Sequence, residues 1–150
     1  MKTQAELINK FGNTMVVADR NKFETAHMTS WDIPDDINAV IRCLPNRLYC
    51  NKLITGPLEK VFRKLIETGL DEELKTFDGC FNPRYQRGST SKISRHAWGI
   101  AVDFNAAWNP LGGKVTFSAA FIKVWRDLGW TCGADWTKRP DGMHFEWNKW

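Results

Sequence analysis

Histidine is scarce here: the 150 residues hold three, at positions 27, 96 and 144. His27, between Ala26 and Met28, has nothing near it in sequence to complete a site and reads as structural. The four cysteines (Cys43, Cys50, Cys80 and Cys132) form no C-x-x-C pair and no zinc-ribbon spacing, which excludes thiolate metal sites of that kind. They read as buried free thiols of a protein made in a reducing compartment, with a disulfide formed after release as the alternative. No apolar run reaches the length of a membrane span, so stable membrane insertion is not expected. The first residues, Met1-Lys2-Thr3-Gln4-Ala5-Glu6-Leu7, lack the apolar core of a signal peptide. A substrate outside the cytoplasm then requires another delivery route. Basic residues are scattered, without a basic run or arginine-rich helix, so nucleic acid is not an expected partner. There is no internal repeat, low-complexity tract or linker. One domain over 1–150 is expected, and a monomer suffices.

What is present is ordinary for a globular protein: 43% hydrophobic and 25% charged residues. The net charge of +4 is modest and suits an anionic polymer such as a cell wall. Eight tryptophans are many, and most fall late in the chain, from Trp98 to Trp150. They read as core filling, with contact to sugar or peptide in a groove as the alternative.

Residues 1–30 read as a polar leader, with a weak helical turn near Leu7 and Ile8, a short strand over 14–18, and a loop over 19–34. The catalytic core is expected over 31–150. Pro34-Asp35-Asp36 opens a helix with Ile37, Val40, Ile41 and Leu44 on one face. Residues 48–54 read as extended. Pro57 starts a stronger helix carrying Leu58, Val61, Phe62, Leu65 and Ile66, which Gly69 stops. A strand is expected over 76–81 and a flexible loop over 87–92. A third helix over 116–128 turns Ala120, Phe121, Val124, Trp125 and Leu128 inward, and 132–139 is a returning loop.

The chemistry lies in two short strands. Over 99–105, Ile100, Val102 and Phe104 face one way while Ala101, Asp103 and Asn105 face the other. A carboxylate amid that apolar run is costly unless it is paired or binds a metal. After the Pro140-Asp141-Gly142 turn, Met143, Phe145 and Trp147 point to the core, and His144 and Glu146 share the opposite face. Pairing the two strands brings His96, Asp103 and His144 together, with Asp141 at the rim. Two imidazoles, one carboxylate and an open fourth position make the ligand set of a catalytic zinc site. An unliganded carboxylate beside it can take a proton from water.

These residues carry a family resemblance. Ser94, His96, Gly99, Ala101 and Asp103 fill S-x-H-x-x-G-x-A-x-D, and Asp141 stands three before His144. Over roughly 31–147 the chain resembles the zinc D-Ala-D-Ala carboxypeptidases and dipeptidases, most closely their L-alanyl-D-glutamate endopeptidase branch found among phage endolysins. The resemblance implies an α+β fold of the Hedgehog and DD-peptidase type, a small, mostly antiparallel sheet with packed helices. It implies Zn2+ held by His96, Asp103 and His144, which leaves the site with a net charge of about +1. Asp141 becomes the general base, Asp as in the endopeptidase branch where many D-Ala-D-Ala-cleaving relatives carry Glu, and Arg84 in the segment 78–84 becomes the arginine that binds a substrate carboxylate and polarises the scissile carbonyl.

Other residues keep two readings. Arg87 neighbours the substrate or is a surface charge. Ser94 meets substrate and orients His96, or caps a loop. Glu146 supports His144 or is an exposed strand residue. Trp98 packs beneath the site or touches substrate. The expected activity is zinc-dependent hydrolysis of an amide in peptidoglycan stem peptides between L-Ala and D-Glu, as cell-wall lysis by an endolysin. The protein would be made in the cytoplasm and reach the wall through a holin or as a virion-associated lysin. Two alternatives are a D-Ala-D-Ala carboxypeptidase or dipeptidase, and a wall-binding module with a structural zinc.

Overall fold

Thr3 and Glu6 close a capping box over the first helix. The Thr3 hydroxyl accepts the Glu6 N–H at 3.2 Å, and Glu6 Oε2 accepts the Thr3 N–H at 2.7 Å. In the computed structural model, which describes residues 1–150, the chain then runs through eleven elements. They are α1 (Gln4–Phe11), α2 (Val17–His27), β1 (Met28–Asp32), α3 (Asp35–Val40), β2 (Arg47–Asn51), α4 (Thr55–Glu67), β3 (Phe77–Gly79), β4 (Ala101–Phe104), α5 (Ala119–Asp127), β5 (Thr131–Cys132) and β6 (His144–Glu146). β1 and β2 form an antiparallel pair. The other strands form a four-stranded antiparallel sheet in the order β3-β4-β6-β5. The fold is α+β, with its strands divided between two small sheets rather than gathered in one.

The four-stranded sheet has a dry face and a chemical face. Val102 pairs with Phe145, and that face meets α4 and α5: Phe104 lies 6.2 Å from Phe62 and 5.8 Å from Trp125, ring centre to ring centre. Trp125 stacks on Phe145 at 4.2 Å. Ala101, Asp103, His144 and Glu146 share the other face, in register across β4 and β6. β4 stops at Asn105, a left-handed residue whose side chain accepts the N–H groups of Lys75 and Thr76.

The first thirty residues depart most from expectation. Over residues 1–13, read as polar, Leu7 and Phe11 of α1 enter the core, and Thr14 after them is buried. The expected strand at 14–18 is a turn entering α2, and the expected loop is α2 followed by β1. α2 has no side-chain cap and buries only Phe23, so it lacks the apolar periodicity that marks a helix. Val40 and Ala120 face solvent rather than the core, and Ile122 is buried on α5 instead. Residues 84–94 form a hairpin, not a free loop. Ser94 N–H reaches Arg84 O at 3.0 Å, Tyr85 bridges Ile93, Gln86 N–H reaches Lys92 O at 2.7 Å, and the Ser89 hydroxyl closes the tip.

α1 braces that hairpin and the turn after it. Ile93 N–H donates to Gln4 Oε1 at 2.7 Å, Trp98 Nε1 donates to Gly12 O at 3.0 Å, and Arg95 donates to Lys2 O. Leu7 is fully buried beneath this contact. Leu7→Ala is expected to cost about 2–5 kcal/mol, seen as a lower denaturant midpoint with an unchanged slope.

Candidate active site

Each candidate ligand is set by a local rule. Asp103 on β4 stands directly opposite His144 on β6 in the register. His96 lies in the 3-10 turn Arg95–Trp98, whose first N–H groups are capped by Ser94 Oγ, 3.3 Å from His96 N. The turn ends at Gly99 with φ +61°, where a Cβ would meet Met28 Sδ at 2.7 Å and Asn51 N at 3.0 Å. Only glycine fits there, and it swings the chain from the His96 turn into β4.

The candidate donor atoms of His96, Asp103 and His144 lie within 4.8 Å of one another. Both imidazoles are oriented from behind. His96 Nδ1 is 2.6 Å from the Cys80 carbonyl oxygen, which can only accept, so Nδ1 carries the proton and Nε2 a lone pair. That Nε2 is buried, 3.1 Å from Asp103 Oδ2, and has no hydrogen-bond donor to satisfy it. Two acceptors facing each other need a cation between them, and that is the fit a metal ion meets. His144 Nε2 lies 2.9 Å from Glu146 Oε2, and Nδ1 lies 3.1 Å from Asp103 Oδ1. Nε2 is thus held against Glu146, and Nδ1 is turned to the centre shared with Asp103 and His96.

The electrostatics agree with this arrangement. Burial pushes the Asp103 carboxyl up, yet the hydrogen bond from His144, with the two imidazoles close by, outweighs it and holds the group well below the usual carboxylate range. Burial pushes His144 down, but Asp103 and Glu146 raise it to about 10. A metal held at Nδ1 would have to displace a proton, so metal uptake is expected to strengthen as pH rises. Burial pushes the Glu146 carboxyl up, but the bond to His144 outweighs it and leaves the group below its ordinary value. Its Oε1 accepts from Asn148 at 2.9 Å and lies 3.9 Å from Arg95 Nε.

Asp141 is the spare carboxylate. Its Oδ1 is buried without a partner, and burial raises its pKa above the ordinary carboxylate value. The backbone fixes it: Asp141 N–H donates to Gly133 O at 2.9 Å, and His144 N–H donates to Asp141 O at 3.1 Å. An added Cβ at Gly133 would collide with the Asp141 carbonyl, which makes glycine obligatory there too.

Two adjoining hollows, about 650 and about 780 Å³, meet over the donor cluster and share Arg84, Arg87, His96, Asp103 and Met143. Arg84 is at the mouth, its Nη1 donating to Tyr85 O at 3.3 Å. Arg87 is exposed on the hairpin. Ser94 lines the cleft while capping the His96 turn. Glu146 is buried behind His144 rather than exposed. Trp98 is wholly buried and does not reach the cleft. Met143, expected in the core, lines both hollows, because β6 begins only at His144 and the turn before it breaks the alternation.

Sequence reasoning passed over Trp136, Lys138 and Arg139, which wall the cleft from the loop before Pro140. The Trp136 ring centre lies 5.3 Å from that of His144. The one signal was an aromatic and two cations within four residues of Pro140. The Cys80 carbonyl that orients His96 left no trace in residue identity. Glu146→Ala is expected to weaken zinc binding roughly 10–100-fold, measured by competition with a chromogenic chelator.

A family model described as D-alanyl-D-alanine carboxypeptidase matches residues 87–147. That span holds all three donors and Asp141, and leaves Arg84 just outside. The match supports a zinc-peptidase family for this part of the chain. No curated protein and no solved structure matches the chain.

Proposed function

We propose that this protein is a zinc-dependent peptidase that hydrolyses an amide bond in peptidoglycan stem peptides, cutting between L-Ala and D-Glu. One observation carries the reading: a three-donor cluster, its imidazoles oriented from behind, stands beside a buried carboxylate oxygen with no partner. His96 Nε2, Asp103 and His144 Nδ1 would hold the ion. Zinc supplies polarisation of the scissile carbonyl and a lowered pKa for water. Asp141 takes the proton of the attacking water and returns it to the leaving nitrogen. The raised pKa of its carboxyl suits both halves of that exchange. Arg84 holds a substrate carboxylate at the mouth through charge-assisted hydrogen bonds. Cys80 O and Glu146 keep the imidazoles turned toward the centre.

The choice of bond rests on two features. The cleft continues on both sides of the donors, which gives room for peptide on both sides of the cut. Asp141 occupies the position where the resemblance places Asp in endopeptidases and Glu in many D-Ala-D-Ala-cleaving enzymes. The description of the matched family favours a second reading, removal of D-Ala from the stem terminus. A wall-binding module with a structural metal would leave the unpaired Asp141 oxygen without a purpose. Mass spectrometry of peptidoglycan digested with and without chelator separates the three. New N-terminal D-Glu ends, lost on chelation and restored by zinc, are expected. Released D-Ala or D-Ala-D-Ala would move the assignment to the carboxypeptidase or dipeptidase reading, and intact wall with zinc-loaded protein would overturn catalysis.

A further inference from the structure

The cleft is unevenly charged. Arg84 and Arg87 line both hollows, whereas Lys92, Lys138 and Arg139 line only the one beside Trp136. None of these five cations takes part in an ion pair. Elsewhere cations find partners: Arg47 with Asp32, Arg63 with Asp36, and Arg126 with Asp135. Most of the acids in the cationic hollow are committed. Asp103 and Glu146 bond histidine and Asp135 pairs with Arg126, so only the buried Asp141 carboxylate is left among four acids to offset these cations. Like charges gathered on one wall repel each other, and a bound anion relieves that repulsion.

Arg139 is also held in place. One Nη2–H donates to Arg87 O at 3.0 Å, tying the loop before Asp141 to the hairpin. Its stem passes over Gly112, where a Cβ would come 3.5 Å from Arg139 Cγ, and Gly112 N–H donates to Pro140 O at 2.7 Å. The remaining guanidinium N–H groups bond nothing in the chain. A fixed guanidinium with free donors binds a carboxylate at less entropic cost than a free side chain.

We infer that Arg139 and Lys138, with Arg87 alongside, form a second carboxylate site, so that the substrate is an acidic peptide with a negative group on the Trp136 side of the cut besides the one that Arg84 holds. This rests on the stem-peptide reading above and narrows it. A γ-linked glutamate leaves its α-carboxylate free and meets the requirement. Its α-amide does not.

The test uses the full chain, zinc-loaded and silenced by Asp141→Asn, so that binding is read without turnover. Two synthetic peptides, L-Ala-γ-D-Glu-L-Lys with a free α-carboxylate and the same peptide with an α-amide, are titrated by calorimetry. The free acid is expected to bind about tenfold more tightly, with the preference shrinking as salt is raised. Adding Lys138→Gln and Arg139→Gln should abolish the preference while zinc content and melting temperature stay unchanged. Equal binding of the two peptides, no binding of either, or a preference that survives the double substitution would overturn the second site. Cleavage of both peptides by the unsubstituted enzyme at equal efficiency would remove the site and leave the peptidase. A clear binding preference with no cleavage of wall would keep the site and remove the peptidase.

Discussion

Asp141→Asn is expected to lower kcat about 10²–10⁴-fold while the protein keeps its zinc. The carboxylate touches none of the candidate ligands through a hydrogen bond, so its loss leaves the donor cluster intact. The amide keeps its shape but cannot accept a proton from water. Stability should move the opposite way. Burial raises the native Asp141 pKa above its ordinary value, so the contribution of this group is present below that value and lost as pH rises through the native one. Above the native pKa the ionised, partly unpartnered group destabilises the fold. The metal-free Asn variant should therefore melt above metal-free wild type on the alkaline side of that pKa, and the gap should close in the acid range. Turnover kinetics with metal analysis, and scanning calorimetry after chelation, read the two effects. A variant that keeps wild-type turnover would remove Asp141 from the proton path.

Asp103→Ala should abolish activity by abolishing metal uptake. Asp103 is the one anionic donor, and each of its oxygens faces a different histidine nitrogen at 3.1 Å. Without it two imidazoles remain, and the affinity loss should exceed the roughly 10–100-fold expected for a supporting partner. A bound ion stabilises the native state by mass action, about 4 kcal/mol at a free concentration a thousandfold above Kd. Zinc should thus raise the melting temperature of wild type and leave that of Asp103→Ala in place. His144 keeps its bond to Glu146 in the variant, so an unchanged circular dichroism spectrum is expected. A variant that still takes up stoichiometric zinc would refute the assigned ligand set.

The centre of the molecule was legible because strand alternation is a strict period. With Val102 and Phe104 inward, Asp103 had to face outward, and the same rule placed His144 beside Glu146. The helices α4 and α5 were legible from their apolar stripes, although the stripe on α5 is shifted to Ile122. What escaped lacked a period. α2 offers one buried residue in eleven and no side-chain cap, so it gains stability from packing that no local pattern records, while α1 shows only a short signal, the Thr3 and Glu6 capping box with Leu7 and Phe11 four apart. The hairpin over 84–94 is held by main-chain bonds and by Gln4, far away in sequence. Arg139 and Trp136 matter only because the loop that carries them folds over the sheet.

The brace between α1 and the His96 turn also sets an order of events. Lys2 and Arg95 are 93 positions apart, Gln4 and Ile93 are 89, and Gly12 and Trp98 are 86. Closing such loops costs entropy before any contact rewards it, and chains rich in distant contacts fold slowly. The backbone bonds of α4 and α5 join residues four apart, whereas the donor cluster waits for both the brace and the pairing of β4 with β6. On refolding, helical signal should then return well before the chain can take up zinc.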